Sequence, residues 1–367
     1  MNIIVSAGGT GGHIYPALAL INKFKEKEKN INILYIGTHN RMEKNLVPSL
    51  GIKYQKLEIY GFSKTLIWRD FKNIFLVQKA IIQCKKIMKE FKPDVVIGAG
   101  GYVTLPVIYA AKKMGIKTVL LEQNSIPGKT NKILSKNADL VCTSYENSNK
   151  YFSKAKKVIC TGNPSAYYTK NMPIKKESLG FNKNKKLVLV VAGSLGSETL
   201  NNFFTSFLEK VSNDNPFEVL YITGRNYYRE FTENKKFPKG VKIEDFIDNL
   251  AGLFNDTDLV ITRAGASTLS ELVAYKVPSI IIPSPYVAGN HQYYNALDLE
   301  KKKVGIVCEE KDLEVNKLYN MVKKLLEPSK EYLDMKKRLE VLAKVKSDEL
   351  VYNKIKELTK WTSLVVF

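Results

Sequence analysis

Short apolar runs alternate with amphipathic stretches along this chain, and the alternation breaks once. In the first half "NIIV", "NILYIG", "DVVIGAG", "KTVLLEQ" and "DLVCTS" read as buried strands, with apolar residues at helical spacing between them. That rhythm predicts a parallel sheet with helices on both faces. The prolines and charges of "TGNPSAYYTKNMPIKKESLGFNKNKK" interrupt it and read as a linker. The rhythm then resumes with "KLVLVVAG", "FEVLYITG", "DLVITRAG", "PSIIIPSP" and "VGIVCEE". The expectation is α/β: two Rossmann-like doubly wound domains, residues 1–163 and 164–343, facing a cleft where a ligand binds. A helix over 344–367 returns to the first domain, and "WTSLVVF" is an apolar tail.

Glycine-rich turns recur at the predicted strand ends. "SAGGTGGHIYPALAL" (6–20) links the first strand to the first helix, where backbone N–H groups and the helix dipole suit an anion. It is neither of two familiar fingerprints. GxGxxG requires glycine where Ile14 stands, and a P-loop requires Lys-Ser/Thr after the last glycine. The plainer alternative is a tight turn with a capping histidine, and the loop alone leaves both open. "GAGGYVTLP" (98–106) and "AGSLGSETLN" (192–201) repeat the arrangement. Three such loops at strand C-terminal ends favour a diphosphate ligand, or two phosphorylated ligands meeting.

Charge narrows the partners. Lys+Arg 57 against Asp+Glu 36 gives +21 over 367 residues, which favours anions: phosphorylated substrates, anionic lipid or nucleic acid. Codon bias toward lysine is the plain alternative. No RNA-binding or helix-turn-helix signature accompanies the charge, so no nucleic acid is expected. No apolar run is long enough to span a bilayer and no signal peptide is evident. Four scattered cysteines without CxxC suggest reduced thiols in a cytoplasm.

"GGTGGHIYPALAL", "GAGGYVTLP", "LLEQNSIPGKTN", "AGSLGSETLN", "RAGASTLSEL" and "NHQYYNA" occur in order and span nearly the whole chain. This set resembles the MurG-type N-acetylglucosaminyltransferases of peptidoglycan synthesis. The resemblance implies the glycosyltransferase-B fold and UDP-GlcNAc as donor. It implies undecaprenyl-diphosphoryl-MurNAc-pentapeptide as acceptor, at the cytoplasmic face of the bacterial membrane. It also implies inverting transfer to the C4 hydroxyl of the muramoyl sugar, from lipid I to lipid II. No cofactor is essential on this reading, a divalent cation at most stimulating.

An inverting transfer needs a base for the attacking hydroxyl and stabilisation of the departing diphosphate. His13 lies in a glycine loop and its ring suits a base at neutral pH, while Glu122 is the rival. Ser194 and its neighbours' amides could hold a UDP phosphate at a helix start. Ala266, Ser267, Thr268, Leu269 and Ser270 form another turn into a helix, and Glu271 can accept from two ribose hydroxyls. By resemblance Ile247 reads the uracil through its backbone, Asn124 and Gln292 contact the GlcNAc, and Thr10, Gly11 and Gly12 join the donor contacts. Gly100, Gly101 and Tyr102, with Glu122, are the implied acceptor contacts.

The chain departs from the family pattern at Ala192 and Leu195, where GGSQGA is usual, and at Ala166, where arginine is common. His291 replaces a second glutamine, and "YVTLP" stands for YVSGP. These departures bear on the donor contacts. "DTD" (256–258) mimics a DxD metal motif but precedes a strand, where a turn readily takes aspartates; no metal site is expected. Leu66, Ile67, Trp68, Phe71 and Phe75 lie among lysines and Arg69, which suits docking on anionic membrane lipid. After Ile74 the pattern reads as an amphipathic core helix. Competing readings are a UDP-GlcNAc 2-epimerase or another glycolipid glycosyltransferase of the same fold, and a basic binding protein without turnover.

Overall fold

The computed structural model describes the chain except residues 62–67, 169–172, 194–195, 212–214, 234, 328 and 364–367, and side chains also except 68–72 and 360–363. It divides into two compact units, Met1–Tyr168 with Val345–Phe367, and Thr169–Lys344. The sequence reading put these borders at 163 and 343.

The first unit carries β1 (Asn2–Ser6), β2 (Asn32–Thr38), β3 (Lys53–Leu57), β4 (Val95–Gly98), β5 (Lys117–Glu122), β6 (Leu140–Thr143) and β7 (Val158–Cys160). All pair in parallel, in the order β3-β2-β1-β4-β5-β6-β7. Alternate residues of each strand point to opposite faces, so β1 serves two cores. Ile3 and Val5 pack with Ala17, Leu18 and Ile21 of the helix Gly11–Lys27 and with Val351 and Ile355 of the last helix, Ser347–Ser363. Ile4 packs with Leu76, Cys84 and Met88 of the helix Trp68–Phe91 and with Val107 and Ile108 of the helix Thr104–Lys113.

The last helix returns to the first unit through ion pairs as well as packing. Lys23 meets Asp348 at 3.0 Å and Lys356 meets Glu28 at 2.6 Å, while the Phe24 and Tyr352 rings sit edge to face with centroids 5.0 Å apart.

The second unit repeats the plan with β8 (Lys186–Val191), β9 (Phe217–Ile222), β10 (Val241–Glu244), β11 (Leu259–Thr262), β12 (Ser279–Ile281) and β13 (Ile306–Val307). The parallel order is β10-β9-β8-β11-β12-β13. Val188 and Val190 meet Phe204, Phe207 and Leu208 of the helix Glu198–Glu209 in its core.

Two expectations change. The stretch from 161 is no open linker: Pro164, Ser165 and Ala166 are buried in a short 3-10 turn against the helix Gly11–Lys27, and Tyr167 donates its hydroxyl to the Val345 carbonyl at 2.7 Å. Further along, the Ile174 amide donates to Gly252 and the Lys176 amide to Asp256, anchoring that part to the second unit. Prolines there shape turns instead of freeing the chain. The sequence reading also lacked β3, β7 and β10. Each pairs on one side only and is short or largely polar, so no long apolar run marks it.

Candidate active site

In each unit the first strand lies between the second and the fourth, so connections leave it in opposite directions and open a crevice at the strand C-termini. In the first unit the loops after β1 and β4 meet there. The Ala99 amide donates to Ser6 at 2.8 Å and the Gly8 amide to Gly100 at 3.2 Å. Gly100 and Gly101 both hold positive φ, 109° and 86°. A Cβ on Gly100 would overlap the imidazole of His13, and one on Gly101 would overlap the Gly8 carbonyl. Glycine is needed at both places for conformation and for space.

His13 therefore sits across the two loops. Its Nδ1 lies 3.2 Å from the Gly8 carbonyl. A carbonyl only accepts, so Nδ1 carries the proton and Nε2 is left as the ring's acceptor nitrogen. That tautomer suits a base. Thr10 caps the following helix without a side-chain bond and no acid lies in its first turn. The first backbone bonds run from His13 and Ile14 to Thr10, so the Gly11 and Gly12 amides at this helix start precede them. Tyr102 lies on the same β4 loop, and the exposed Arg41 guanidinium interacts with its phenol, which raises the arginine further.

In the second unit the helix that follows β11 starts without a cap of its own, unlike the one after β8. The helix Ala266–Tyr275 follows Gly265 with neither a side-chain cap nor an acid in its first turn. Its first backbone bond is Leu269 to Gly265 at 3.0 Å, leaving the amides of Ala266, Ser267 and Thr268 ahead of it. Leu269 itself is fully buried, so its side chain is core and not a ligand contact. Glu271 stands one turn further along, partly exposed. Burial alone pushes its carboxyl up to about 8, with no hydrogen bond or cation from the described residues to lower it.

By contrast the helix after β8 carries a side-chain cap and an acid of its own. Ser197 accepts from the Leu200 amide at 3.4 Å, and Glu198 puts an acid in the first turn. This end disfavours a phosphate. Ser194, offered as a phosphate contact, lies with Leu195 outside the described residues.

Other candidates turn out to be partly engaged. Gln292 accepts on Oε1 from the amides of Ala264 (3.2 Å) and Ser284 (2.9 Å), tying together the loops after β11 and β12. Glu122 is 2% exposed and accepts from the Asn124 amide at 3.0 Å, the Gly128 amide at 3.3 Å and Asn131 at 2.9 Å. Burial raises its carboxyl despite these donors. A carboxylate so enclosed shapes the loop that carries Asn124 and is badly placed to be the rival base. Ile247 is half-buried beyond β10, beside Phe246, on which the Arg225 guanidinium stacks at 4.1 Å. The aspartates of "DTD" hold backbone: Asp256 accepts from Lys176 and Asp258 from Leu187. Among the described residues no group of three or more His, Cys, Asp or Glu could hold a metal.

Two buried charges were missed by sequence reasoning. Arg263, 8% exposed, pairs with Glu310 at 2.5 Å, donates to Ser197 at 2.9 Å and reaches the Ile282 carbonyl at 3.3 Å. It joins the loops after β8, β11 and β12. Glu43 is fully buried beneath the first glycine loop. The available signal was a charged residue just past an apolar strand, which also describes many solvated turns.

Leu66 and Ile67 lie outside the described residues, as do the side chains of Trp68 and Phe71. Phe75 is 69% exposed on the helix Trp68–Phe91, and Ile82, two turns on, is 70% exposed. Beyond Ile74 the helix thus buries one face, as the pattern predicts, yet shows apolar residues on the other. No described helix is long and apolar enough to cross a membrane.

Residues 3–143 match the glycosyltransferase family 28 N-terminal domain, and residues 187–351 the glycosyltransferase family 28 C-terminal domain. A protein of Halalkalibacterium halodurans named UDP-N-acetylglucosamine--N-acetylmuramyl-(pentapeptide) pyrophosphoryl-undecaprenol N-acetylglucosamine transferase is 40% identical, over 98% of this chain and 100% of its own length. The chain belongs to this transferase family. A transferase of the same name from Bacillus cytotoxicus is 41% identical with the same coverage. The crystal structure of Acinetobacter baumannii MurG shares the fold, with a TM-score of 0.73 at 24% identity over 97% of this chain and 99% of that one. So does a UDP-GlcNAc 2-epimerase from Neisseria meningitidis, at 0.67 and 13% identity over 97% and 100%. Fold alone therefore does not separate transferase from epimerase; membership of the transferase family rests on the full-length sequence match.

Proposed function

We propose that this chain transfers N-acetylglucosamine from UDP-GlcNAc to the C4 hydroxyl of the muramoyl sugar in undecaprenyl-diphosphoryl-MurNAc-pentapeptide. The observation that carries the reading is full-length identity near 40% to transferases named for this donor and acceptor. In the reaction the acceptor oxygen bonds to C1 of GlcNAc as the C1–O bond to UDP breaks, inverting that carbon. The acceptor proton passes to Nε2 of His13, whose tautomer the Gly8 carbonyl fixes. The departing diphosphate carries its charge to helix-start amides, which cost no reorganisation at the moment of reaction. Ala266, Ser267 and Thr268 are the donors for it, and Glu271 accepts from the ribose hydroxyls. Asn124 contacts the GlcNAc, and Gly100, Gly101 and Tyr102 the acceptor.

The enzyme on this reading is peripheral, on the cytoplasmic face of the membrane. Phe75 and Ile82 enter the headgroup region of anionic lipid, with Lys79 and Lys86 exposed along the same helix face. No cofactor is essential, a divalent cation at most stimulating.

Radiolabelled UDP-GlcNAc incubated with and without the lipid-linked muramoyl peptide tests the proposal. Acceptor-dependent label in the lipid fraction is the expected result. Acceptor-independent conversion of UDP-GlcNAc to its 2-epimer would replace the transferase with an epimerase. Neither product would leave a binding protein.

A further inference from the structure

We infer that Glu43 is a positioning residue for His13, acting through the backbone of the glycine loop; the inference rests on the transferase reading above. Glu43 opens the short helix Glu43–Ser49 and is fully buried. Oε1 accepts from the Thr38 amide at 3.0 Å and the Thr38 hydroxyl at 2.6 Å, and Oε2 accepts from the Gly9 amide at 3.3 Å. All three partners are donors, which an ionised carboxylate satisfies and an amide or apolar side chain does not. The carboxylate thus spans the C-terminal ends of β1 and β2.

Two phenols brace the same ends from within the sheet. Tyr35 donates to the Ala7 carbonyl at 3.0 Å and Tyr54 to the Thr38 carbonyl at 2.6 Å. A Cβ on Gly8 would press on the Glu43 carboxylate, so Glu43 reaches the loop only because residue 8 is glycine. Gly9, held by Glu43, has φ +97° and is followed by Thr10, the cap of the His13 helix. Gly8, its neighbour, offers the carbonyl that fixes the His13 tautomer. The hydrogen bonds of Glu43 run to Thr38 and Gly9, so its path to His13 is the glycine-loop backbone. Its contribution is the placing of the Gly8 carbonyl, and a displacement on the order of 1 Å at a base costs roughly 100-fold in rate.

The test compares Glu43→Gln, Glu43→Asp and Thr38→Val with the wild-type enzyme. Glu43→Gln turns an NH2 toward the Gly9 amide, and Glu43→Asp withdraws the carboxylate from it while keeping the charge. Both should lower kcat roughly 30- to 100-fold with the KM for UDP-GlcNAc within about threefold, because the proposed ribose and diphosphate contacts at Glu271, Ala266, Ser267 and Thr268 lie on the other unit. Hydrogen exchange of the Gly8–Thr10 amides should accelerate at least about tenfold while the β1 amides keep their protection. Thr38→Val leaves the Gly9 bond intact, so kcat and loop exchange should stay within about threefold of wild type even if the melting temperature falls. Wild-type kcat or unchanged loop exchange in both Glu43 variants would overturn the inference. So would failure of both to fold while Thr38→Val folds, since Glu43 would then serve stability. A wild-type enzyme without transfer activity would refute the transferase reading instead, and the exchange measurements would still decide the positioning.

Discussion

Glu271 is a carboxyl group whose free-state chemistry should be visible in solution. Burial lifts it from an ordinary 4.5 to about 8, so the unliganded protein holds it largely protonated at neutral pH. Two ribose hydroxyls donate best to a carboxylate, so on the proposed ribose contact tight donor binding requires losing that proton. From pH 9 down to pH 7 the wild-type affinity for UDP should fall about tenfold, the worth of one pH unit below the free-state value. Glu271→Gln cannot lose a proton and reports whatever the UDP groups themselves contribute. The expected results are a flat difference profile for the variant, and proton release by wild type in calorimetry run in two buffers of unlike ionisation enthalpy. At pH 9 Glu271→Ala should weaken UDP binding by about 2 kcal/mol, two charge-assisted bonds being lost.

The same shift has a stability signature of definite sign. The folded state binds the Glu271 proton more tightly than the unfolded state does, so between pH 4.5 and about 8 unfolding releases it and stability falls as pH rises. At about 1.4 kcal/mol per pH unit the ceiling is about 5 kcal/mol; partial contact with water reduces it to about 2–3 kcal/mol. Unliganded Glu271→Gln should therefore melt above wild type at pH 9, with the gap closing toward pH 5. Superimposable melting curves at pH 9, together with identical UDP pH profiles, would mean that Glu271 is neither desolvated nor in the donor site.

Other consequences are more local. His13→Ala should lower kcat roughly 100-fold or more with UDP affinity unchanged, and a near-normal rate from pH 6 to 9 would remove it as the base. Gly100→Ala forces a side chain into the His13 ring at φ +109°, so kcat should fall by a similar factor while UDP binding, measured by calorimetry, is spared. Phe75→Ser with Ile82→Ser should reduce co-sedimentation with anionic vesicles even at low salt, yet spare turnover of a short-chain, water-soluble acceptor analogue; equal sedimentation would refute docking by this face.

The parts of the fold that a linear sequence displays are those with two buried faces. β1, β4 and β8 are continuous apolar runs because helices cover both sides, whereas β3, with Lys53, Gln55 and Lys56 exposed or nearly so, borders solvent and carries no such run. The glycine loops were legible for a related reason. Gly100 and Gly101 answer to sterics that no other residue satisfies. Charged side chains that brace loops across the sheet were not legible. Arg263 and Glu43 each act on segments tens of residues away, Ser197 and Gly9 among them, and only the folded register makes those neighbours. For the same reason the competition at the helix after β8 was not weighed: "GSETLN" supplies a cap and an acid from its own residues, and how many amides a helix start leaves for a ligand depends on that local competition.

The two crevices are then built on opposite energetic terms. In the first unit the groups that brace the base are paired: Glu43 with three donors, the Ala7 and Gly8 carbonyls with Tyr35 and His13. Such a site is preorganised, and removing one partner leaves another buried and unpaired. The second unit has loops braced by Arg263 and Gln292, and in Glu271 a carboxyl that takes no hydrogen bond or cation from the described residues and that the proposed donor would complete. A base must hold its geometry before the acceptor comes, whereas a donor site gains discrimination when the ligand completes an unfinished hydrogen-bond set. Substitutions should divide accordingly. Those that perturb the first crevice, such as Gly100→Ala, should cost both stability and kcat, while Glu271→Gln should gain stability and lose donor affinity. If Glu271→Gln lost both at pH 9, the carboxyl would have a partner in the folded protein and the division would fail.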